Sequence, residues 1–155
     1  MHCINCFRVL NVIDEGTRET LEIVADTSLP AARVARELEQ IASIRGLLKR
    51  IRLENGPEML AQVFTDWCED NGIELVYIQP EQPNQNAYIE RFNRSYRTEV
   101  LNPYLFTSLS QMRDLSAAWL ISYNEERPHD SLGRISPAEF RRQITGEVST
   151  LKLCA

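Results

Sequence analysis

The clearest helical pattern in this sequence is the stretch Asn84-Gln85-Asn86-Ala87-Tyr88-Ile89-Glu90-Arg91-Phe92-Asn93-Arg94-Ser95-Tyr96-Arg97. Pro80 and Pro83 stand just before it, so a helix cannot comfortably start earlier. From Asn86 to Val100 there is no Gly or Pro, and apolar residues recur at the helical period. These apolar residues are Ile89, Phe92, Tyr96 and Val100. The pattern predicts a helix that packs this face into a core.

The opposite face of the predicted helix is polar and carries a carboxylate among amides and guanidiniums. Its members are Asn86, Glu90, Asn93, Arg94 and Arg97. One interpretation is a solvated surface, on which Glu90 and Arg94 form an i, i+4 ion pair as on many helices. The other interpretation is a functional surface, and it depends on the rest of the chain.

Composition indicates one globular domain. The 155 residues are 43% hydrophobic and 25% charged, which is ordinary for such a domain. No apolar run approaches the ~20 residues of a membrane span, and residues 1–6 show no signal-peptide pattern. We therefore expect a cytoplasmic location and no membrane partner. The net charge of −5 argues against nucleic-acid binding through the overall charge of the protein. The 17 Lys and Arg residues still allow a local basic surface.

The four cysteines do not form a disulfide framework, and free thiols are expected. Cys3 and Cys6 flank two residues beside His2, which is one half of a zinc knuckle. A knuckle needs a second ligand pair at suitable spacing, and Cys68 and Cys154 do not supply one. No zinc is expected.

Outside the predicted helix, four segments are predicted to be strands, since they are apolar or alternate in polarity. They are residues 7–14, 20–25, 49–54 and 73–78. A helix between the second and third strands is predicted to be capped by Ser28 and ended by Gly46. A helix from Pro57 carries an apolar stripe made of Leu60, Val63, Phe64, Trp67 and Cys68.

Beyond the Glu90 helix, a long helix with Met112 and Trp119 on its buried side and a short helix at Ser136-Pro137 are predicted. The order β-β-α-β-α-β-α-α indicates an α/β fold, a mixed sheet flanked by helices. We expect one domain over residues 1–145, followed by a loose tail over residues 146–155.

Two acidic residues stand where a ligand site is expected. Glu54 ends the third strand, and Glu90 lies in the first turns of the helix that follows the fourth strand. In open α/β sheets the ligand crevice lies beyond the carboxyl ends of the strands. Converging carboxylates there can bind Mg²⁺ or Mn²⁺. The alternative for Glu54 is a loop carboxylate near Arg52.

Several motifs resemble, in order and spacing, those of bacterial insertion-sequence transposases with an integrase-type DDE catalytic core, related to retroviral integrases. Beside the stretch quoted first, they are Glu54-Asn55-Gly56-Pro57-Glu58, Tyr123-Asn124-Glu125-Glu126-Arg127-Pro128-His129 and Ser136-Pro137-Ala138-Glu139-Phe140. Residues 8–14 and 17–19 resemble that family's second strand and hairpin. The likeness covers residues 7–142. It implies a ribonuclease H-like fold, two divalent metal ions, and DNA cleavage and strand transfer at transposon ends.

The resemblance also implies roles for single residues. In that family an Asp and a Glu are separated by thirty-five residues, and positions 55–89 separate Glu54 from Glu90. Both are therefore implied to be catalytic and to bind Mg²⁺ or Mn²⁺. The implied DNA-binding residues are Asn86, Arg91, Asn93, Arg94 and Arg97. The implied partners are DNA, both transposon ends and target, and other transposase subunits in a homo-oligomer.

The sequence departs from that family at two of the three acids. The second acid is Asp in the family and Glu54 here. The first acid lies on a strand ahead of residues 7–14, which this sequence does not contain, and Asp14 does not match the motif. We expect an N-terminally truncated, inactive copy whose sheet lacks the central first strand and has an unpaired edge between residues 7–14 and 49–54. The alternative is a non-catalytic fragment that binds DNA ends or transposase subunits.

Overall fold

The computed structural model describes residues 6–46, 48–54, 56–79, 87–144 and 150–154. Within these ranges one mixed sheet contains five strands: β1 (Arg8–Asp14), β2 (Thr20–Asp26), β3 (Arg50–Leu53), β4 (Glu74–Tyr77) and β5 (Thr150–Cys154). The α-helices are α1 (Ala31–Arg45), α2 (Pro57–Leu60), α3 (Gln62–Asp70), α4 (Ala87–Tyr96), α5 (Leu109–Glu125) and α6 (Pro137–Gln143). A π-helical turn (Arg97–Leu101) continues α4, and a 3₁₀ turn (Asp130–Leu132) precedes α6.

The strand β5 lies at the centre of the sheet. The order across the sheet is β2-β1-β5-β3-β4. β1 pairs antiparallel with β2 and with β5, whereas β3 pairs parallel with β4 and with β5. Leu153 of β5 is opposite Val12 on one side and Leu53 on the other.

Helices cover both faces of the sheet because successive strand residues point to opposite sides. Leu10 and Val12 of β1 belong to a core cluster with residues of α1 and α3, and this side is called the α1 face. Ile13 belongs to a second cluster with residues of α4 and α5, and this side is called the α4 face. On the α4 face, α4 buries Ile89, Phe92 and Tyr96, as its periodicity predicts.

Three expectations about the sheet are wrong. Residues 150–154 form β5 and are not part of a loose tail, and Leu153 is only 1% exposed. The predicted unpaired edge is absent from the described sheet, since β5 pairs with both β1 and β3. The expected lack of a central strand is corrected in the same way. A five-residue segment does not reveal by its own pattern a partner a hundred or more positions away. The domain boundary at residue 145 stays a prediction.

Two details of the helices also differ from expectation. The residue that precedes α1 is Pro30 and no side chain caps this helix, so the predicted Ser28 cap is wrong. The segment after Pro57 breaks at Ala61, where ψ is 140°, into α2 and α3. Because the break rotates the helical face, Leu60 and Val63 are exposed and Met59 is buried instead. The predicted end at Gly46 is confirmed, with φ of 93° in the left-handed region.

Candidate functional site

The helix α4 presents a basic surface to solvent. Glu90, Arg91, Arg94 and Arg97 are all exposed, opposite the buried apolar face. Asn93 is half-buried, and its Oδ1 accepts a hydrogen bond of 3.0 Å from Nδ2 of Asn11 on β1. This contact fixes the helix against β1. Asn86 lies outside the described residues, and the DNA-binding role of the five predicted residues stays a prediction.

Glu54 lies directly after β3 and is exposed. It lines a cavity of about 480 Å³ whose apolar wall includes Leu10, Met59 and Leu153 of the α1-face core. Arg8 and Glu58, which form an ion pair, line the same cavity. Glu54 therefore borders a cavity whose apolar wall belongs to the α1-face core, and Glu90 lies on α4. Their convergence on one metal ion stays a prediction.

The described residues do not fit a complete two-metal site. Among them, no group of three or more His, Cys, Asp or Glu side chains is arranged to hold a metal ion. Two ions in one site need carboxylates on both. The strand at the sheet centre has the sequence Thr-Leu-Lys-Leu-Cys and includes no acid. Cys3, part of the zinc knuckle considered in the sequence, lies outside the described residues.

Asp14 has a structural role in the turn between β1 and β2. Its Oδ1 accepts a hydrogen bond of 2.9 Å from the Gly16 amide, and its Oδ2 accepts one of 2.8 Å from the Thr17 hydroxyl. The side chain is buried, and both oxygens are engaged locally. Aspartate commonly stabilises turns in this way. Both carboxylate oxygens of Asp14 are therefore used by the turn and not by a metal ion.

The segment Tyr123–His129 acts as a clamp on the hairpin of β1 and β2. Asn124 accepts a 2.8 Å hydrogen bond from the Thr20 amide and donates a 2.8 Å hydrogen bond to the Thr20 carbonyl. The Tyr123 ring packs edge-on against Phe92 of α4, with centroids 5.0 Å apart. Further along, the Ser136 hydroxyl caps α6, as the Ser-Pro pair predicts.

A buried carboxylate that the sequence analysis did not assign, Glu19, ties the hairpin to two helices. Its side chain is 7% exposed and contacts Arg45 of α1 at 2.7 Å and Arg141 of α6 at 3.6 Å. Burial raises the pKa of Glu19, and the hydrogen bond from Arg45 opposes that rise. No local pattern indicates this contact, since the two arginines are distant in sequence.

A cavity of about 160 Å³ lies between the hairpin turn, α4 and the Tyr123–His129 segment, and we call it the basic pocket. Its ionisable and aromatic lining consists of Arg18, Tyr88, Arg91, Phe92, Tyr123, Arg127, His129 and Asp130. The Arg18 guanidinium lies 4.1 Å from the centroid of the Tyr88 ring. That of Arg127 lies 5.3 Å from the centroid of the Tyr123 ring. Of these lining residues, only Arg91 belongs to the DNA-binding set predicted from the sequence.

The pocket's three guanidiniums act together on its titratable groups. Burial lowers the pKa of His129, and Arg127, Arg18 and Arg91 lower it further. Burial raises the pKa of Tyr123 to about 12, while the same arginines oppose that rise. His129 is therefore neutral at neutral pH, in surroundings that favour negative charge.

Comparison with known proteins identifies the family. An integrase core domain profile matches residues 1–83, and a second integrase core domain profile matches residues 71–137. The chain is 47% identical over 133 residues to the uncharacterized 39.2 kDa protein of insertion element IS476 from Xanthomonas euvesicatoria. It is 42% identical over 133 residues to the uncharacterized 31.7 kDa protein of insertion element IS407 from Burkholderia multivorans. Each match covers 86% of this chain, which spans 38% and 48% of the two relatives.

Solved structures share the fold. The catalytic core domain of BIV integrase superposes with a TM-score of 0.66 at 17% identity, covering 88% of this chain and 93% of that one. A chain of the simian T-cell lymphotropic virus intasome, in complex with PP2A regulatory subunit B56 gamma, gives a TM-score of 0.71 at 18% identity. That match covers 91% of this chain and 51% of the other. The predicted ribonuclease H-like fold is confirmed.

Within the described residues, the helices are too short or too polar to cross a membrane. The predicted resemblance to insertion-sequence proteins with an integrase-type core is confirmed by the family profiles and by the two insertion-element relatives. This chain belongs to the integrase core domain family.

Proposed function

We propose that this chain acts in DNA transposition, as the core region of an insertion-sequence transposase. The observation that carries the proposal is the disposition of α4 within an integrase core. Its apolar face is fixed in the sheet's core, and its opposite face exposes Glu90 among Arg91, Arg94 and Arg97. The two insertion-element relatives support the same context.

The proposed contact with DNA is local and electrostatic. The chain carries a net charge of −5, so attraction to DNA has to come from a concentrated basic surface. Arginine contacts to phosphates supply affinity and position, with little reading of base sequence. We therefore place the backbone of transposon-end or target DNA along α4, and the DNA contacts predicted for Asn86 and Asn93 from the sequence are part of this proposal. The cytoplasmic location expected from the sequence is part of this proposal.

The proposed acids are Glu54 and Glu90, which the resemblance places in a site that uses a divalent metal ion, Mg²⁺ or Mn²⁺. Such an ion, when bound, stabilises the charge on reacting phosphate oxygens. The described residues lack a third carboxylate beside these two, and β5 brings none to the centre of the sheet. The missing third carboxylate weighs against strand joining by the 155-residue chain alone, and the assay below tests this expectation.

The second candidate is a non-catalytic role in which the chain binds DNA ends or other transposase subunits, in a homo-oligomer or with intact copies. The acid-free central strand favours this candidate. It shares the DNA-binding surface with the first candidate. The two differ in whether Glu90 is needed for a chemical step.

A strand-transfer assay with Mg²⁺ or Mn²⁺ separates the candidates. The unmodified chain and its Glu90→Gln variant are incubated with labelled element ends and target DNA. Binding of the DNA without joined product supports the non-catalytic role. Joined product that disappears in Glu90→Gln would establish catalysis by this chain. Failure of both proteins to bind any DNA would overturn the proposed function.

A further inference from the structure

We propose that the basic pocket binds one phosphate group of a nucleic-acid backbone. The inference rests on the proposed function and extends it, because it adds Arg18, Arg127 and His129 to the surface formed by α4. The shared chemistry is a phosphate with at least two free oxygens, and the committed occupant is a backbone phosphodiester.

The residues that line the basic pocket carry more positive than negative charge. Three guanidiniums line it, from Arg18, Arg91 and Arg127. In the described part of the chain, neither Arg18 nor Arg91 forms an ion pair with a carboxylate, whereas Arg127 pairs with Glu99. Among the lining residues the opposing carboxylate is that of Asp130, which is exposed and lies 3.7 Å from Arg134. An anion in this cavity would therefore be favoured by charge.

His129 offers a buried polar atom to such an anion. Its Nε2 has no hydrogen-bond partner and is inaccessible to solvent. The backbone of His129 is fixed on both sides, since its amide donates to the Ile135 carbonyl at 3.0 Å and its carbonyl accepts from the Arg134 amide at 2.9 Å. An unpaired buried polar atom is destabilising. In the proposed complex a small turn of the ring brings Nε2–H to a phosphate oxygen, which supplies the missing acceptor and relieves that cost.

The guanidiniums are already held in place before any ligand arrives. Arg18 is stacked on Tyr88, and Arg127 lies over Tyr123 and pairs with Glu99. A planar guanidinium can donate two parallel hydrogen bonds to a phosphate, and one that is already ordered loses less entropy on binding. The pocket thus presents ordered, planar guanidinium groups to a tetrahedral anion such as phosphate.

The backbone at Arg18 is strained in a way that supports a role in binding. Its φ of 62° lies in the left-handed region, which is uncommon for a residue other than Gly, Asn or Asp. The hairpin turn holds it there, since the Arg18 amide donates to the Asp14 carbonyl at 2.8 Å. Strained backbone of this kind concentrates at binding sites. Here it directs the Arg18 side chain over Tyr88 and into the pocket.

The volume selects a small ligand. The cavity of about 160 Å³ is smaller than the roughly 300 to 1,000 Å³ of pockets for drug-sized molecules. It is also several times larger than the share of about 30 Å³ that one water molecule takes in the liquid. A single phosphate group fits these limits, while the sugar and base of the nucleotide would stay outside.

The test uses Arg91→Gln with Arg94→Gln as a matched control. Both residues are exposed on α4, and only Arg91 lines the pocket. Inorganic phosphate is titrated into the full chain, and the ring signal of His129 is followed by NMR. That signal is identified by its loss in His129→Gln. Phosphate is expected to shift the signal in the parent and in Arg94→Gln, and to leave it unmoved in Arg91→Gln. Arg18→Gln serves in place of Arg91→Gln if that variant does not fold.

A second arm measures the affinity for a labelled DNA duplex and separates backbone phosphate from free phosphate. Arg91→Gln is expected to weaken duplex binding by roughly tenfold, as for loss of a hydrogen bond to a charged group. Duplex binding that moves the His129 signal supports the proposal. Duplex binding without any change at His129 would overturn the pocket's role and leave the proposed function standing. A phosphate effect on His129 without any duplex binding would overturn the committed occupant together with the proposed function.

Discussion

Leu153 of β5 is paired in register with Leu53 of β3, and both side chains are almost fully buried in the core of the α1 face. The two leucines join strands that are far apart along the chain. Their contact places β5 between β1 and β3, in the position where the resemblance to transposases puts the family's first strand. The direction is consistent with that position, since β5 runs parallel to β3 and antiparallel to β1.

Truncation of Leu153 is therefore expected to destabilise the whole fold. Leu153→Ala removes a side chain that is 1% exposed and leaves a cavity, at a cost of about 3 kcal/mol in the free energy of unfolding. Leu105→Ala is the matched control because Leu105 is 93% exposed, and its cost is expected to stay within about 0.5 kcal/mol. Chemical denaturation measures both. Equal stability of the two variants would show that β5 is not part of the folded sheet.

The register also identifies where an added acid is expected to build a metal site. The residue after Leu153 is Cys154, opposite Asn11 on β1 and level with Glu54, which follows Leu53. Cys154→Asp is expected to tighten Mn²⁺ binding by roughly tenfold, because affinity rises with the number of charged oxygen ligands. Thr150→Asp, at the opposite end of β5, is the control. Titration calorimetry that finds the same Mn²⁺ affinity in both variants would contradict the convergence of acids at this end of the sheet.

The amide clamp at Asn124 is expected to stabilise the hairpin strongly. Asn124→Ala would leave the buried amide and carbonyl of Thr20 unpaired, which costs about 3 kcal/mol. Asn102→Ala changes an exposed amide and is expected to have little effect. Thermal and chemical unfolding of the two variants check the difference. Superimposable unfolding curves of the two variants would show that the Asn124 hydrogen bonds do not stabilise the hairpin.

The lowered pKa of His129 predicts a loss of stability in mild acid. Because burial and the neighbouring Arg127, Arg18 and Arg91 outweigh Asp130, the folded imidazole binds its proton less readily than the unfolded one. Stability from this group is full above the unfolded pKa of about 6.5 and falls as the pH drops toward the folded pKa. Tyr123 also faces the ring but stays neutral in this range.

His129→Gln is expected to flatten this part of the stability profile. Unfolding free energies measured by denaturant between about pH 7.5 and about pH 5.5 make the comparison. Parallel profiles for the parent chain and His129→Gln would mean that another group causes any loss in acid. The comparison is informative in either direction because the remaining histidine, His2, is common to both proteins.

Local patterns predicted the parts of the fold that depend on local interactions. The period of Ile89, Phe92 and Tyr96 predicted α4 and its buried face, and runs that are apolar or alternate in polarity predicted β1 to β4. The Ser136-Pro137 pair predicted the start of α6. In each case the signal lies within one turn or a few strand residues.

The parts that sequence patterns missed depend on distant partners. β5 is recognisable only once β1 and β3 are side by side, and the break at Ala61 exposes Leu60 and Val63 and buries Met59 instead. The basic pocket brings Arg18, Arg91 and Arg127 together from three separate segments. Glu54 and Glu90 had a signal in their spacing, but spacing does not decide on which face of the sheet each carboxylate lies.

The most direct test of the proposed function is the affinity of the chain for duplex DNA as a function of salt. Fluorescence anisotropy of a labelled duplex is measured from about 50 to about 200 mM salt, with the parent chain and with Arg91→Ala, Arg94→Ala and Arg97→Ala combined. The affinity of the parent chain is expected to fall as the salt concentration rises. The triple variant is expected to bind more weakly, and its slope of log affinity against log salt should correspond to about three fewer phosphate contacts. A triple variant that binds DNA as tightly as the parent, with the same salt dependence, would contradict the account.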